Sequence, residues 1–189
     1  MRRGFLSFRS VNRRNEPGYD PGLQRHHLLP RQLLSTTGFQ KMFGEIGDHD
    51  TRFEDFRENG MLLPCREGAA LRLGLPLHRG PHHRYSELVA LRIGQIEAGW
   101  SRERLRDGRV ARAQAQMRLA LLQRALRRFL LDTRGHRPLL NRYDPASRDF
   151  QELDQMAEAL WAATPVCAIT PDGTIQAMPV RARRLAKAN

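Results

Sequence analysis

Five of the seven histidines in this 189-residue chain lie in two short groups. The first group is His26-His27, and the second is His78 with His82 and His83. Imidazole nitrogens bind metal ions and exchange protons near neutral pH. A site built from both groups constrains the fold, because two distant segments of the chain must then meet around it.

The spacing within each group is compatible with metal binding. Four residues separate His78 from His82, which places both rings on one helical face, or at a loop and the following helix start. Adjacent residues on an extended chain point in opposite directions, so one of His26 and His27 can face a metal while the other faces substrate water. Three histidine ligands with open positions describe a catalytic metal site better than a closed structural one.

Each of these motifs has an ordinary interpretation when it stands alone. Most isolated histidines are surface or core residues, and an Asn-Gly pair such as Asn59-Gly60 is usually a turn. Asn59 could hold such a turn or hydrogen-bond the reactive histidine. The ordered combination is more specific: H-H-L-L-P at 26–30, N-G-M-L-L-P at 59–64 and L-H-R-G-P-H-H-R-Y at 77–85.

These three blocks resemble the AHH family of the HNH/endonuclease VII nuclease superfamily. The resemblance covers about Leu23 to Arg92. The sequence departs from the family pattern at Arg25, where the family usually has Ala or Gly. It departs again at His83, where Pro often follows the last motif histidine. Neither departure removes a functional group.

The resemblance implies a ββα-metal fold, in which two short strands and a helix clasp one divalent cation. It implies metal ligands at His26, His78 and His82. His27 would be the general base, and Asn59 would orient that base or brace its loop. The implied activity is metal-dependent endonucleolytic hydrolysis of phosphodiester bonds in DNA.

The chemistry of the residues agrees with this activity. A neutral imidazole can take a proton from water at physiological pH, and a cation can stabilise charge on the phosphate. The identity of the divalent metal ion stays open among Zn, Mg, Mn and Ni, since imidazoles suit Zn and Ni while phosphodiester chemistry often uses Mg or Mn. The two cysteines, Cys65 and Cys167, cannot form a four-thiolate zinc site.

The charge of the chain favours a polyanionic partner. There are 32 Lys and Arg residues against 20 Asp and Glu, a formal net charge of +12. DNA is the expected partner, with RNA as the alternative because metal chemistry does not distinguish the sugars. Arg offers bidentate contacts to phosphate. The predicted nucleic-acid contacts are Arg13, Arg14, Arg25, Arg79, His83 and Arg84.

The predicted fold class is α+β and mainly helical, with a ββα-metal nuclease core, added helices and a C-terminal β-hairpin. The predicted divisions are a basic N-terminal arm (1–22), the nuclease core (23–99), a helical extension (100–163), and a β-hairpin with a basic tail (164–189). The arm could grip phosphate or be a solvated terminus.

Helices are predicted from Pro81 to about Ala98, with Gly99 as the stop, from Ser101 to about Asp132, and from Phe150 to Ala163. The second helix is expected to pack on the core or, as the minority interpretation, to make a homodimer, through an apolar stripe of Ala115, Leu119, Leu122, Leu126 and Phe129. A short buried strand is predicted at Met61–Pro64, directly after the Asn59-Gly60 turn. A hairpin is predicted at 166–178 around the Pro171-Asp172-Gly173 turn.

Two other functions compete with an intracellular endonuclease. The first is an interbacterial nuclease toxin with a cognate immunity protein. The second is a non-catalytic nucleic-acid-binding protein with a structural zinc. No stretch reaches the ~18–20 apolar residues of a membrane span, and residues 1–14 contain no apolar signal region. A cytoplasmic protein with no membrane partner is therefore expected.

Overall fold

Short strands and two long helices frame the described chain. The computed structural model describes residues 4–47, 51–132, 140–141, 159, 166–169 and 175–178. The strands are β1 Leu23–His27, β2 Gly60–Pro64, β3 His78–Arg79, β4 Leu140–Asn141, β5 Val166–Ile169 and β6 Ile175–Met178. The α-helices are α1 Thr37–Ile46, α2 Phe56–Asn59, α3 Glu67–Leu73, α4 His83–Glu103 and α5 Gly108–Leu131. Two 3-10 helices lie at Phe8–Ser10 and Arg31–Ser35.

Strands β1 and β2 form an antiparallel pair that presents the first histidine group. The register runs from Leu23 opposite Pro64 to His27 opposite Gly60. Alternation along β1 buries His26 and leaves Arg25 exposed. The strand predicted at Met61–Pro64 is confirmed as β2.

Helices α4 and α5 pack against each other and against α1, and their apolar faces form much of the core. The predicted core stripe of α5 is confirmed, since all its members are buried: Ala115, Leu119, Leu122, Leu126 and Phe129. This stripe packs within the chain, as an amphipathic helix of a globular protein does.

The predicted boundary between these helices is wrong by several residues. Helix α4 continues through Gly99 to Glu103 and buries Trp100 beyond the glycine. Gly99 therefore lies inside α4 rather than at its end, with the Arg118 guanidinium 2.8 Å from the position that a Cβ would take. Helix α5 begins after Asp107, whose side chain accepts hydrogen bonds from the backbone N–H groups of residues 109 and 110.

The start of α4 also differs from the prediction. Pro81 lies before the helix, and His82 is the N-cap residue with φ −120° and ψ 71°. With this non-helical backbone, the His82 side chain reaches His78, and the Nε2 atoms of the two rings lie 3.1 Å apart.

The strand pair of the C-terminal hairpin is confirmed, with β5 antiparallel to β6 and Val166 opposite Met178, while the predicted Pro171-Asp172-Gly173 turn lies outside the described residues. The helix predicted at 150–163 lies outside the described residues. Strand β4 pairs in parallel with β3, and its Leu140 is buried in the core. The α+β, mainly helical fold class is confirmed, and the domain boundaries stay predictions. No helix in the described part of the chain is long and apolar enough to cross a membrane.

Two residues on α4 test this packing. Ile93 is fully buried, whereas Leu91 on the same helix is 60% exposed. We expect Ile93→Ala to lower the free energy of unfolding by about 2–5 kcal/mol. Leu91→Ala should change it by no more than about 0.5 kcal/mol. Urea denaturation followed by circular dichroism measures both, and equal losses would contradict the placement of α4.

Candidate metal centre and active site

Three imidazoles from separate segments converge on one point. Nδ1 of His26 lies 3.2 Å from Nε2 of His78, and Nε2 of His82 lies 3.1 Å from that same His78 atom. One nitrogen from each ring belongs to a set whose members all lie within 4.8 Å of one another. Tetrahedral ligands with Zn–N bonds of about 2.0–2.1 Å would lie about 3.3 Å apart. The spacing therefore fits a metal site.

Each histidine reaches this point from a different backbone setting. His26 comes from β1, His78 from β3 and His82 from the N-cap of α4. Between the last two, Gly80 adopts a φ of +72°, a conformation that glycine takes at little cost. The sequence left open whether His78 and His82 share a helix or flank a helix start. The structure selects the second arrangement.

Gln24 sets which nitrogen of His78 is available. Oε1 of Gln24 lies 3.1 Å from Nδ1 of His78, so this nitrogen is the donor and the neutral ring keeps a lone pair on Nε2. That lone pair can accept a hydrogen from only one of the two neighbouring rings. A cation would satisfy all three nitrogens together, and oriented second-shell partners of this kind are usual for metal-binding histidines.

Burial favours the neutral form of His26 and His78, which is the form that binds metals. Burial is the largest cause that lowers the pKa of His26 well below its usual value, and the neighbouring His78 and His82 lower it further. Burial, together with His82, also lowers the pKa of His78 to about 4. The site therefore favours a metal ion over protons as the source of positive charge.

Tyr85 packs beneath the histidines. It is fully buried, and its ring contacts those of His26 and His82 edge-on. Its hydroxyl donates a 2.8 Å hydrogen bond to the carbonyl oxygen of Leu28. Burial raises the pKa of this phenol, so it stays protonated and keeps donating. Tyr85 thus joins the first turn of α4 to the segment that follows β1.

His27, the predicted general base, has surroundings unlike those of His26. Its ring stacks face to face on Phe8, with centroids 3.7 Å apart and an interplanar angle of 5°. Its Nε2 is buried and has no hydrogen-bond partner among the described residues. Burial lowers the pKa of His27, Glu54 opposes that effect, and Arg31 and Arg25 add to it.

Asn59 braces the backbone that follows His27. Its Oδ1 accepts a 2.7 Å hydrogen bond from the N–H of Leu29, and its Nδ2 donates to the carbonyls of Leu29 and Phe53, each at 3.1 Å. The sequence predicts that Asn59 either orients the base or braces its loop. Its hydrogen bonds to the described residues brace the loop.

Helix α5 supports the same region from outside the sequence motif. Gln123 is buried, and its Nε2 lies 3.4 Å from Oδ1 of Asn59. One turn along, Arg127 donates to the backbone carbonyls of Arg57 and Glu58 at 2.6 and 3.1 Å. These two side chains hold the short helix α2 that ends at Asn59.

Gly60 has a steric role rather than the turn role predicted from Asn-Gly. Its φ of −113° is extended backbone that any residue adopts. A Cβ on Gly60 would lie 2.2 Å from the Phe56 ring, so the missing side chain lets Phe56 approach the strand. Asn59 and Gly60 therefore join a helical turn directly to β2.

The residues predicted to contact nucleic acid are all exposed. Several pair within the protein: Arg13 with Glu16, Arg79 with Glu67 and Arg84 with Glu87, at 3.3, 3.4 and 3.8 Å. Arg25 donates to the carbonyl of Phe8 at 2.8 Å. His83 is the first residue of α4 and does not belong to the set of three converging histidines, and the exposed Arg14 forms no ion pair with the residues that the structure describes. Their contact with nucleic acid stays a prediction.

Sequence reasoning missed Gln24, Phe8 and Gln123. Gln24 carried a usable signal, because it lies two residues before His26 and so shares its strand face. Phe8 and Gln123 carried none, because only tertiary folding brings them to His27 and Asn59.

Comparison with known proteins agrees with this arrangement. Residues 7–126 match AHH, a nuclease family of the HNH/ENDO VII superfamily with conserved AHH. The chain belongs to this nuclease family, so its substrate class is nucleic acid. Nucleases of this type usually use a divalent metal, and the three histidines could bind one. Neither the curated proteins nor the solved structures gave a significant match.

The lowered histidine pKa values predict acid sensitivity of the metal-free protein. The pKa of His78 is 6.5 in the unfolded chain and about 4 in the folded one. As the pH falls below 6.5, the unfolded chain therefore binds a proton on His78 that the folded chain binds only near pH 4. The free energy of unfolding should therefore fall across this interval. Urea denaturation in EDTA at several pH values measures it. His78→Asn should show a smaller fall than wild type, and identical pH profiles would contradict the assignment.

Proposed function

We propose that this protein is a metal-dependent endonuclease that hydrolyses phosphodiester bonds in DNA. The convergence of His26, His78 and His82 carries the proposal, because it brings three nitrogen ligands together beside the strand end that bears His27. Zinc is the metal that this all-imidazole set suits best among Zn, Mg, Mn and Ni. The cytoplasm is the proposed location.

The chain's own residues divide the work of hydrolysis. A divalent cation held by the three histidines would supply Lewis-acid stabilisation of the phosphate and of the departing oxygen. His27 takes the proton of the attacking water. Because its Nε2 is enclosed, we assign the transfer to Nδ1. Asn59 keeps the backbone after His27 in place.

The charge of the chain supports nucleic-acid binding without choosing a sequence. A net charge of +12 attracts the phosphate backbone. Phosphate contacts position a protein but carry no base information. We therefore propose weak or structure-dependent specificity, with the exposed arginines Arg13, Arg14, Arg79 and Arg84 as phosphate contacts.

The metal assignment is tested by a pair of adjacent histidines. His82 belongs to the converging set, whereas His83 is exposed. We expect His82→Ala to weaken Zn²⁺ binding by more than about tenfold, since loss of even an outer partner of a ligand costs that much. His83→Ala should leave the affinity unchanged. Isothermal titration calorimetry measures both, and unchanged binding in His82→Ala would remove that residue from the site.

The general-base assignment is tested by His27→Ala. We expect the cleavage rate to fall by about 10²–10⁴-fold, the contribution typical of general acid–base catalysis. Zn²⁺ affinity should stay close to that of wild type, because His27 is not in the converging set. The assay uses supercoiled plasmid, single-stranded DNA and RNA across a panel of divalent cations.

The controls separate the competing functions. EDTA should abolish cleavage, and Leu91→Ala, a change at an exposed residue of α4 with no assigned role, should cleave like wild type. If His27→Ala cleaves at the wild-type rate, the base is misassigned. If wild type binds Zn²⁺, depends on it for stability and cleaves none of the substrates, the protein is a zinc-stabilised binding protein instead. Preferential cleavage of RNA would change the substrate.

A further inference from the structure

The stacking of Phe8 on His27 joins the N-terminal segment to the candidate base. The two rings are nearly parallel, at 5°, with centroids 3.7 Å apart, and Phe8 itself is only 6% exposed. Most aromatic pairs in proteins prefer offset or edge-to-face arrangements. A parallel contact this close covers one face of the imidazole.

Backbone hydrogen bonds anchor the segment that carries Phe8. The N–H of Leu6 donates to Oδ1 of Asp55 at 3.2 Å, and the N–H of Phe56 donates to the carbonyl of Leu6 at 2.7 Å. Asp55 is buried, and its side chain also caps the N-terminus of α2. Residues 6–8 are therefore fixed against α2 rather than free in solution.

Arg25 fixes the other side of Phe8. Its guanidinium donates a 2.8 Å hydrogen bond to the carbonyl of Phe8. Arg25 stands where the family name has alanine, a side chain that could not make this bond. The departure from the family pattern thus contributes to holding the stacked ring.

Phe56 and Gly60 support Phe8 from behind. The Phe56 ring meets the Phe8 ring edge-on, with centroids 5.1 Å apart. Phe56 occupies the space that a side chain on Gly60 would fill. Gly60 lies opposite His27 in the sheet, so the contacts run without a break from His27 through Phe8 and Phe56 to the neighbouring strand.

We propose that Phe8 is a positioning residue that holds the plane of the His27 imidazole in the orientation needed for proton transfer. This inference rests on the proposed function, in which His27 is the base. A catalytic group must stay within about 0.5 Å and 10–20° of its productive geometry. Asn59 fixes the backbone beside His27, and Phe8 fixes the rotation of its ring.

The test compares two substitutions at Phe8 in the full-length protein loaded with Zn²⁺. Phe8→Leu keeps a bulky apolar side chain but removes the flat face, whereas Phe8→Tyr keeps the ring. We expect Phe8→Leu to lower kcat for plasmid cleavage by about 10- to 100-fold, the scale of a misplaced catalytic group. KM and Zn²⁺ affinity should change less than twofold, and Phe8→Tyr should restore most of kcat.

A spectroscopic measurement reports the contact itself. In wild type, the ring current of Phe8 should shift the His27 ring protons upfield in the NMR spectrum, with His27→Ala identifying the signals. Phe8→Leu should abolish that shift, and Phe8→Tyr should keep it. If Phe8→Leu does not fold, Phe8→Met replaces it, because the flexible thioether adapts to irregular space.

The outcomes separate this inference from the proposed function. Wild-type protein that cleaves no nucleic acid overturns the proposed function. Wild-type cleavage with an unchanged kcat in folded Phe8→Leu overturns the role of Phe8 alone. Equal loss of kcat in Phe8→Leu and Phe8→Tyr, or a matching loss of Zn²⁺ affinity, also overturns it, since a positioning role requires rescue by the retained ring.

Discussion

The buried amide of Asn59 joins the parts of the structure on which the site depends. It is fully enclosed, so each unmet hydrogen bond would cost about 1–3 kcal/mol. Its four hydrogen bonds link the segment after β1, the loop before α2 and helix α5. The strand pair β1–β2 is short, and these bonds fix where its histidine-bearing end lies. The position of the site therefore depends on one buried side chain, Asn59, whose polar groups are hydrogen-bonded within an apolar core.

Two adjacent histidines have different surroundings within this structure. Alternation along β1 sends His26 toward His78 and His82 and sends His27 toward Phe8. Burial keeps His26 and His78 neutral and available as ligands. His27 retains partial exposure and a stacked neighbour instead. These different surroundings suit the two roles proposed for this strand end, a metal ligand at His26 and a general base at His27.

The arginines of the chain are of two kinds, those that hydrogen-bond within the fold and those that are exposed, and the net charge does not distinguish them. Arg127 and Arg112 donate to backbone carbonyls of Arg57, Glu58 and Ile46, so they hold the fold together. Exposed arginines such as Arg14 remain available to phosphate.

The end of α4 shows that a residue type alone does not decide where a helix ends. Glycine commonly ends a helix, yet α4 continues beyond Gly99 to Glu103 because Trp100 is buried in the core.

The sequence by itself determined the histidine blocks, their order and spacing, the strand at residues 61–64, the apolar stripe of α5 and the C-terminal hairpin. These follow from periodicity and side-chain chemistry, which are local properties. Only the tertiary structure decided that His82 occupies the N-cap position of α4, that Gln123 reaches Asn59 and that Phe8 covers His27. Those contacts join residues that lie apart in the chain, or depend on backbone angles at a single residue. No local pattern encodes them, because their free energy arises only when the whole core is packed.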